Sequence, residues 1–184
     1  SIDGNVNVVL SKRQPGSSFK PIVYAAAFQK GYTPQTILFD ILTNFDTTGI
    51  KEYTPRNYTG KEYGPVSMKQ ALAGSLNIAS VKTLYLTGVS YTIEFAKKLG
   101  YTSLQNPDQY GLALVLGGGE VTLLEHTAAF TSFAQEGVVS KPTSILSVKD
   151  KQGLLLFEQK QFQQKEVFDK EIADTINNIL SDNQ

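Results

Sequence analysis

The stretch Arg13-Gln14-Pro15-Gly16-Ser17-Ser18-Phe19-Lys20-Pro21 constrains this chain more than any other. Pro15 and Gly16 halt whatever precedes them. From Ser18 onward Phe19, Ile22, Val23, Ala26 and Ala27 recur at the spacing of one buried helix face, and Gly31 supplies the stop. Pro21 is compatible with this, because the first N–H groups of a helix have no partner inside it. The helix start therefore carries a hydroxyl, Ser17, and an amine, Lys20, three residues apart and on one face. A serine hydroxyl is a weak nucleophile until a base takes its proton, and a lysine can do so when burial or nearby cations lower its pKa towards neutrality. The N–H groups of the helix start also favour a developing oxyanion. Alone, Ser-x-x-Lys also describes many an N-capping serine beside a solvated lysine, so the remaining residues have to decide between the two.

Composition removes several classes of function. A length of 184 residues suffices for one domain with a real core, or for part of a larger one. Seventeen basic and seventeen acidic residues cancel, with no long run of either sign, which argues against nucleic acid or an anionic membrane surface as the main partner. Cysteine is absent, excluding disulfides and thiolate metal sites and fitting an extracytoplasmic bacterial protein. The single histidine, His126, argues against a multi-His metal site and a His-dependent triad, and reads as a packed helix residue. No cofactor is expected: Gly117-Gly118-Gly119 lacks the Gly-Lys-Ser/Thr of a phosphate loop and reads as a tight turn that lets a helix pack closely. No apolar run approaches the roughly 18 residues needed to cross a bilayer. The residues from Ser1 do not resemble a signal peptide, and the missing initiator methionine leads us to expect that an upstream segment was removed.

In chain order, Ser1 to Leu10 reads as a loop or edge strand, and the first helix runs to Lys30. Residues 32–65 are rich in Thr, Tyr, Gly, Asn and Pro, with turns at Asp46–Gly49, Tyr53–Asn57 and Gly60–Pro65. So long an aperiodic stretch is either a ligand-lining excursion or a surface connection. The tyrosines from 53 to 63 read as packing and loop residues. Ser67-Met68-Lys69-Gln70 is a capping box before a short helix to Ala73. Helices are expected at Ile78–Leu86 and Tyr91–Leu99, and a second capping box, Thr122 to Glu125, opens another that ends near Gln135. Ser144–Val148 and Leu154–Phe157 flank an Asp150–Gly153 turn and form a hairpin, and Ile172, Ile176, Ile179 and Leu180 mark a last amphipathic helix. The fold class is an α-rich α+β one with little strand.

Between the second and third helices lies Ser75-Leu76-Asn77. In a short extended link, residues two apart point the same way, so a hydroxyl and a carboxamide project together, one to relay a proton and one to hold a substrate amide. The same residues also suit an ordinary helix-breaking turn. Taken in order and about sixty residues apart, the two motifs resemble the penicillin-binding protein and serine β-lactamase superfamily, whose three motifs are Ser-x-x-Lys, Ser-x-Asn and Lys-Thr-Gly. The resemblance is nearest to the transpeptidase domain of class A, bifunctional penicillin-binding proteins. Besides Arg13–Pro21 it rests on Gly31-Tyr32-Thr33-Pro34, Tyr53-Thr54-Pro55-Arg56-Asn57-Tyr58, Ala71 to Ala79, and Leu116-Gly117-Gly118-Gly119-Glu120-Val121-Thr122.

That resemblance implies a partial transpeptidase fold, mostly its helical part with a small hairpin. It makes Ser17 the acylated serine, Lys20 its base, Ser75 a proton relay to the leaving amine, and Asn77 a hydrogen-bonding partner of the substrate backbone. The implied substrates are peptidoglycan stem peptides ending in D-Ala-D-Ala, and the implied inhibitors are β-lactams. The implied parent carries a glycosyltransferase domain and a membrane anchor and faces outward from the bacterial cytoplasmic membrane. Two features depart from the family: Lys-Thr-Gly is absent, and Ile41-Leu42 follow Asp40 where the family often has proline. The Lys-Thr-Gly strand is thus expected beyond Gln184 and the first two strands before Ser1, so that residues 1–184 form one partial domain. Such a piece is expected to expose the apolar face of the Ser18–Lys30 helix and to be incompetent alone. The rivals are a serine β-lactamase, for which no Glu-x-x-x-Asn segment is seen, and a non-catalytic penicillin-binding sensor.

Overall fold

The computed structural model describes Gly4 and residues 6–46 and 52–182. Six helices and four small antiparallel ladders follow from the sequence among these residues. The helices are α1 (Lys20–Gln29), α2 (Met68–Ala73), α3 (Asn77–Thr87), α4 (Val89–Lys98), α5 (Leu123–Ala134) and α6 (Lys170–Ser181). The strands are β1 (Lys12–Arg13), β2 (Ile37–Asp40), β3 (Gly64–Ser67), β4 (Val121–Thr122), β5 (Val138–Ser140), β6 (Ser147–Lys149), β7 (Leu155–Glu158) and β8 (Gln164–Glu166), paired β1–β4, β2–β3, β5–β8 and β6–β7. Short 3₁₀ turns occupy Gly16–Phe19, Pro107–Gln109 and Gly111–Leu116.

Helix α1 is the axis of the fold, with α2, α3, α4 and α6 packed around it. Every residue from Lys20 to Phe28 is buried, so the sequence reading of one apolar face understates it. The expectation that this helix would be left with an exposed apolar face is corrected here. Ile22, Val23, Tyr24 and the run Ala25-Ala26-Ala27 suit a helix enclosed on all sides, since the alanines let neighbouring helices approach and the larger residues fill the gaps between them. The buried Tyr24 hydroxyl of this helix is paired with Ser80 Oγ at 3.2 Å, and burial raises its pKa to about 12.

Both predicted capping boxes form. Gln70 N–H donates to Ser67 Oγ while Gln70 Oε1 accepts from Ser67 N–H, and Thr122 and Glu125 repeat the arrangement at α5. The predicted hairpin is β6–β7, its turn held by Asp150 Oδ1 accepting from the N–H groups of Gln152 and Leu154. α6 buries Ala173, Ile176 and Ile179 as its periodicity requires, while Leu180 is exposed.

The structure adds order that periodicity did not reveal. Ile37–Asp40 pairs with Gly64–Ser67, closing the aperiodic stretch into a loop with a ladder at its base. β5 and β8 bracket the hairpin. The expected turn at Asp46–Gly49 lies mostly outside the described residues. Among the described residues no helix is long and apolar enough to cross a membrane.

Candidate active site

Ser17 stands on the Gly16–Phe19 turn that runs directly into α1 at Lys20. In a 3₁₀ turn residues three apart eclipse, which aligns Ser17 with Lys20 more closely than an α-helical turn does. Ser17 is exposed, and among the described residues its hydroxyl makes no hydrogen bond. Lys20 is the opposite: only 1% of it is accessible. Its Nζ donates to Ser75 O at 2.6 Å, Asn77 Oδ1 at 2.8 Å and Ser75 Oγ at 3.1 Å. The structure thus joins Lys20, Ser75 and Asn77 directly, and places Ser17 one turn away with a free hydroxyl.

Burial lowers the Lys20 pKa to about 8. About a tenth of the side chain is then neutral at pH 7, and the amine becomes an available base without leaving its site. Three acceptors occupy the three protons of the ammonium. In the neutral amine the Ser75 hydroxyl can turn round and donate to nitrogen, so Ser75 is the one ligand able to exchange a proton with Lys20.

The link before α3 is not the extended segment the sequence suggests. Ser75 has φ +49°, in the left-handed region, whereas Leu76 is extended and Asn77 opens α3. A non-glycine residue there is strained by roughly 1 to 3 kcal/mol and persists only where its surroundings fix it. Here Ser75 N–H bonds Leu72 O, Leu76 N–H bonds Ala71 O, and the Ser75 carbonyl is held by Lys20. The two side chains converge because the backbone turns, rather than because they alternate along a strand.

Ser18 shows why adjacency to the motif is insufficient. Its hydroxyl donates to Pro15 O at 2.6 Å and lies 2.9 Å from His126 Nε2, while His126 Nδ1 is 2.6 Å from the Tyr101 hydroxyl. Burial and the Glu125 charge keep Tyr101 protonated, and burial lowers the His126 pKa. The consistent assignment is a neutral imidazole that accepts from Tyr101 and donates to Ser18. Ser18 is therefore tied down, with no base free beside it. This Ser–His pair spans 108 residues, and nothing in the sequence points to it beyond the lone histidine.

The glycine segment packs against the Gly16–Phe19 turn. Gly117 has φ +87°, and a Cβ there would meet Gly16 N at 2.2 Å and Gly16 Cα at 2.4 Å. Two backbones are in contact immediately before Ser17, with no side chain to give way. Gly117→Ala should therefore lower stability by roughly 1 to 3 kcal/mol. Gly153→Ala in the exposed hairpin, also at positive φ but with nothing within 4 Å of the added Cβ, should lower it less. Thermal unfolding of the two variants checks this.

Among the described residues no three His, Cys, Asp or Glu side chains gather as metal ligands.

The sequence model described as the penicillin binding protein transpeptidase domain matches residues 5–184. The chain belongs to that family. It is 40% identical over 151 residues to penicillin-binding protein 1A of Aquifex aeolicus, covering 82% of this chain and 20% of that protein. It is 35% identical over 149 residues to penicillin-binding protein 1A of Neisseria meningitidis, covering 80% and 18%. The crystal structure of penicillin-binding protein 1A from Haemophilus influenzae superposes with a TM-score of 0.87 at 27% identity, covering 96% of this chain and 31% of that one. Penicillin-binding protein A from M. tuberculosis, as its imipenem acyl-enzyme complex, shares the fold with a TM-score of 0.82 at 22% identity, over 95% and 44% of the two chains. The chain spans about a fifth of the length of the curated relatives it matches.

Proposed function

We propose that these residues form the nucleophile-bearing wall of a serine D,D-transpeptidase, with Ser17 as nucleophile, Lys20 as base, Ser75 as proton relay and Asn77 as a substrate-amide ligand. The observation that carries this reading is the buried Lys20 amine clasped by Ser75 and Asn77 one turn beyond an exposed, unbonded Ser17 hydroxyl. Ser17 Oγ attacks the penultimate carbonyl of a stem peptide ending in D-Ala-D-Ala while Lys20 takes its proton. The C–N bond then breaks, and D-Ala leaves with a proton delivered through Ser75. An amine of a neighbouring stem attacks the acyl-serine, forms the cross-link and returns the serine proton. A β-lactam reacts at the same first step and is held as a slowly hydrolysed acyl-enzyme; the M. tuberculosis protein is known as an imipenem acyl-enzyme complex. The parent chain we propose is a class A protein, with a glycosyltransferase domain and a membrane anchor, acting on the outer face of the cytoplasmic membrane.

Lys-Thr-Gly does not occur in these 184 residues, so the facing wall, with its carboxylate contacts and second oxyanion donor, is assigned to another segment. Loss of one oxyanion donor lowers the rate on the order of 10² to 10³. The 184-residue chain should accordingly be labelled by a fluorescent penicillin at least a hundredfold more slowly than the full-length protein. Equal rates would place the second wall within these residues. Deacylation and cross-linking test the function itself: slow deacylation with transfer to a stem-peptide amine supports the transpeptidase, fast hydrolysis makes it a β-lactamase, and slow deacylation without transfer makes it a sensor.

A further inference from the structure

The start of α3 is the part of the site that nothing in its own sequence supports. Leu76 precedes the helix and offers no capping side chain, yet the first N–H groups of a helix need acceptors when they are buried. Those acceptors come from the long loop. Asn57 Oδ1 accepts from Asn77 N–H at 2.7 Å and from Ile78 N–H at 3.2 Å, and Asp40 Oδ1 accepts from Ala79 N–H at 3.1 Å. The two residues are locked to each other, with Asn57 Nδ2 donating to Asp40 Oδ2 at 2.6 Å and to Lys61 O at 2.9 Å. Tyr63 N–H fills Asp40 Oδ2 at 3.1 Å, and Asn77 Nδ2 reaches Arg56 O at 2.9 Å. Asp40 is fully buried and Asn57 is 6% exposed.

We propose that Asn57 and Asp40 are positioning residues of the acylation site, a cap supplied in trans that holds the start of α3 so that Asn77 and the left-handed Ser75 stay on Lys20. The inference rests on the transpeptidase reading above. Three consecutive N–H donors, of residues 77, 78 and 79, are bound by two side chains that, among the described residues, make no hydrogen bond to the Ser17 turn. The network as a whole uses one amide and one carboxylate, because Asn57 both donates and accepts while Asp40 accepts on both oxygens, from Ala79 N–H on Oδ1 and from Asn57 Nδ2 and Tyr63 N–H on Oδ2. With two carboxylates the 2.6 Å contact is repulsive, and with two amides Asp40 Oδ2 loses its role as the acceptor shared by Asn57 and Tyr63. The loop thus acts through Asn77.

The test uses the full-length protein and the single variants Asn57→Asp and Asp40→Asn beside the reciprocal double variant. Each single variant should lower the second-order rate of penicillin acylation about a hundredfold, the scale of a displacement of about 1 Å at a reacting group. The double variant restores one amide and one carboxylate and should recover at least tenfold of that loss, although the Lys61 and Tyr63 contacts stay broken. Hydrogen exchange in Asn57→Asp should accelerate at residues 77–79 and stay slow in α1. Single variants that acylate within threefold of the parent overturn the proposal, as does a double variant no faster than the singles. Loss of protection in α1 together with α3 also overturns it, since the role is then general stability. If the unsubstituted protein takes no label, the transpeptidase reading fails, and exchange at residues 77–79 still decides whether the cap is real.

Discussion

Lys20→Arg should reduce the acylation rate by about 10² to 10⁴, the contribution typical of a general base, while leaving the protein folded. Arginine keeps the charge and can still donate to the Ser75 carbonyl and Asn77 Oδ1, but it cannot take a proton near neutral pH. The unsubstituted enzyme should show the corresponding pH dependence. Burial holds the Lys20 pKa down to about 8, and only the neutral amine is a base. Acylation should thus rise with pH through about 8 and level off above it, and the arginine variant should lack that rise. The acylation rate measured from pH 6 to 9.5, with the thermal midpoint as a control for folding, checks both statements. An arginine variant that acylates within a few-fold of the parent with the same pH profile would make the Lys20 clasp purely structural.

Ser17→Ala should abolish covalent labelling, whereas Ser18→Ala should keep most of it. The two hydroxyls are neighbours with different surroundings. Ser17 is exposed and, among the described residues, unbonded, and it stands on the 3₁₀ turn three residues before Lys20. Ser18 is bonded to Pro15 O and His126. Removing the Ser18 hydroxyl frees two half-buried partners, Pro15 O and His126, and should lower stability by roughly 1 kcal/mol while leaving most of the labelling rate. Labelling in gels, beside unfolding curves, separates the outcomes.

Much of this site was legible because its signals are local. The boxes at Ser67–Gln70 and Thr122–Glu125 close within four residues, so there sequence spacing translates directly into contact, and the three-residue spacing at the helix start puts Ser17 one turn from Lys20. The parts that escaped are those where tertiary contacts decide. Asp40 and Asn57 lie in a stretch without periodicity, and their role exists only because β2 pairs with β3 and carries the loop to the start of α3. The Ser75 turn could not be read from propensity, since the left-handed conformation is imposed by Lys20 and by α2 behind it. Helix α1 looked one-sided because its small residues, Ala25 to Ala27, carry little pattern, yet they are what allows neighbours on every side. The partner of His126 was hidden for the same reason: a pairing over 108 residues leaves no trace in spacing.

The hydroxyl one turn from Lys20, and not the one beside a histidine, should be the one acylated. Trypsin cuts after Arg13 and Lys30 but resists the Lys20–Pro21 bond, so both serines fall in the single peptide Gln14–Lys30. Full-length protein acylated by penicillin, digested and fragmented in the mass spectrometer, locates the adduct within that peptide. The added mass is expected on Ser17, and an adduct on Ser18, or none in Gln14–Lys30, would overturn the assignment of Ser17 as nucleophile.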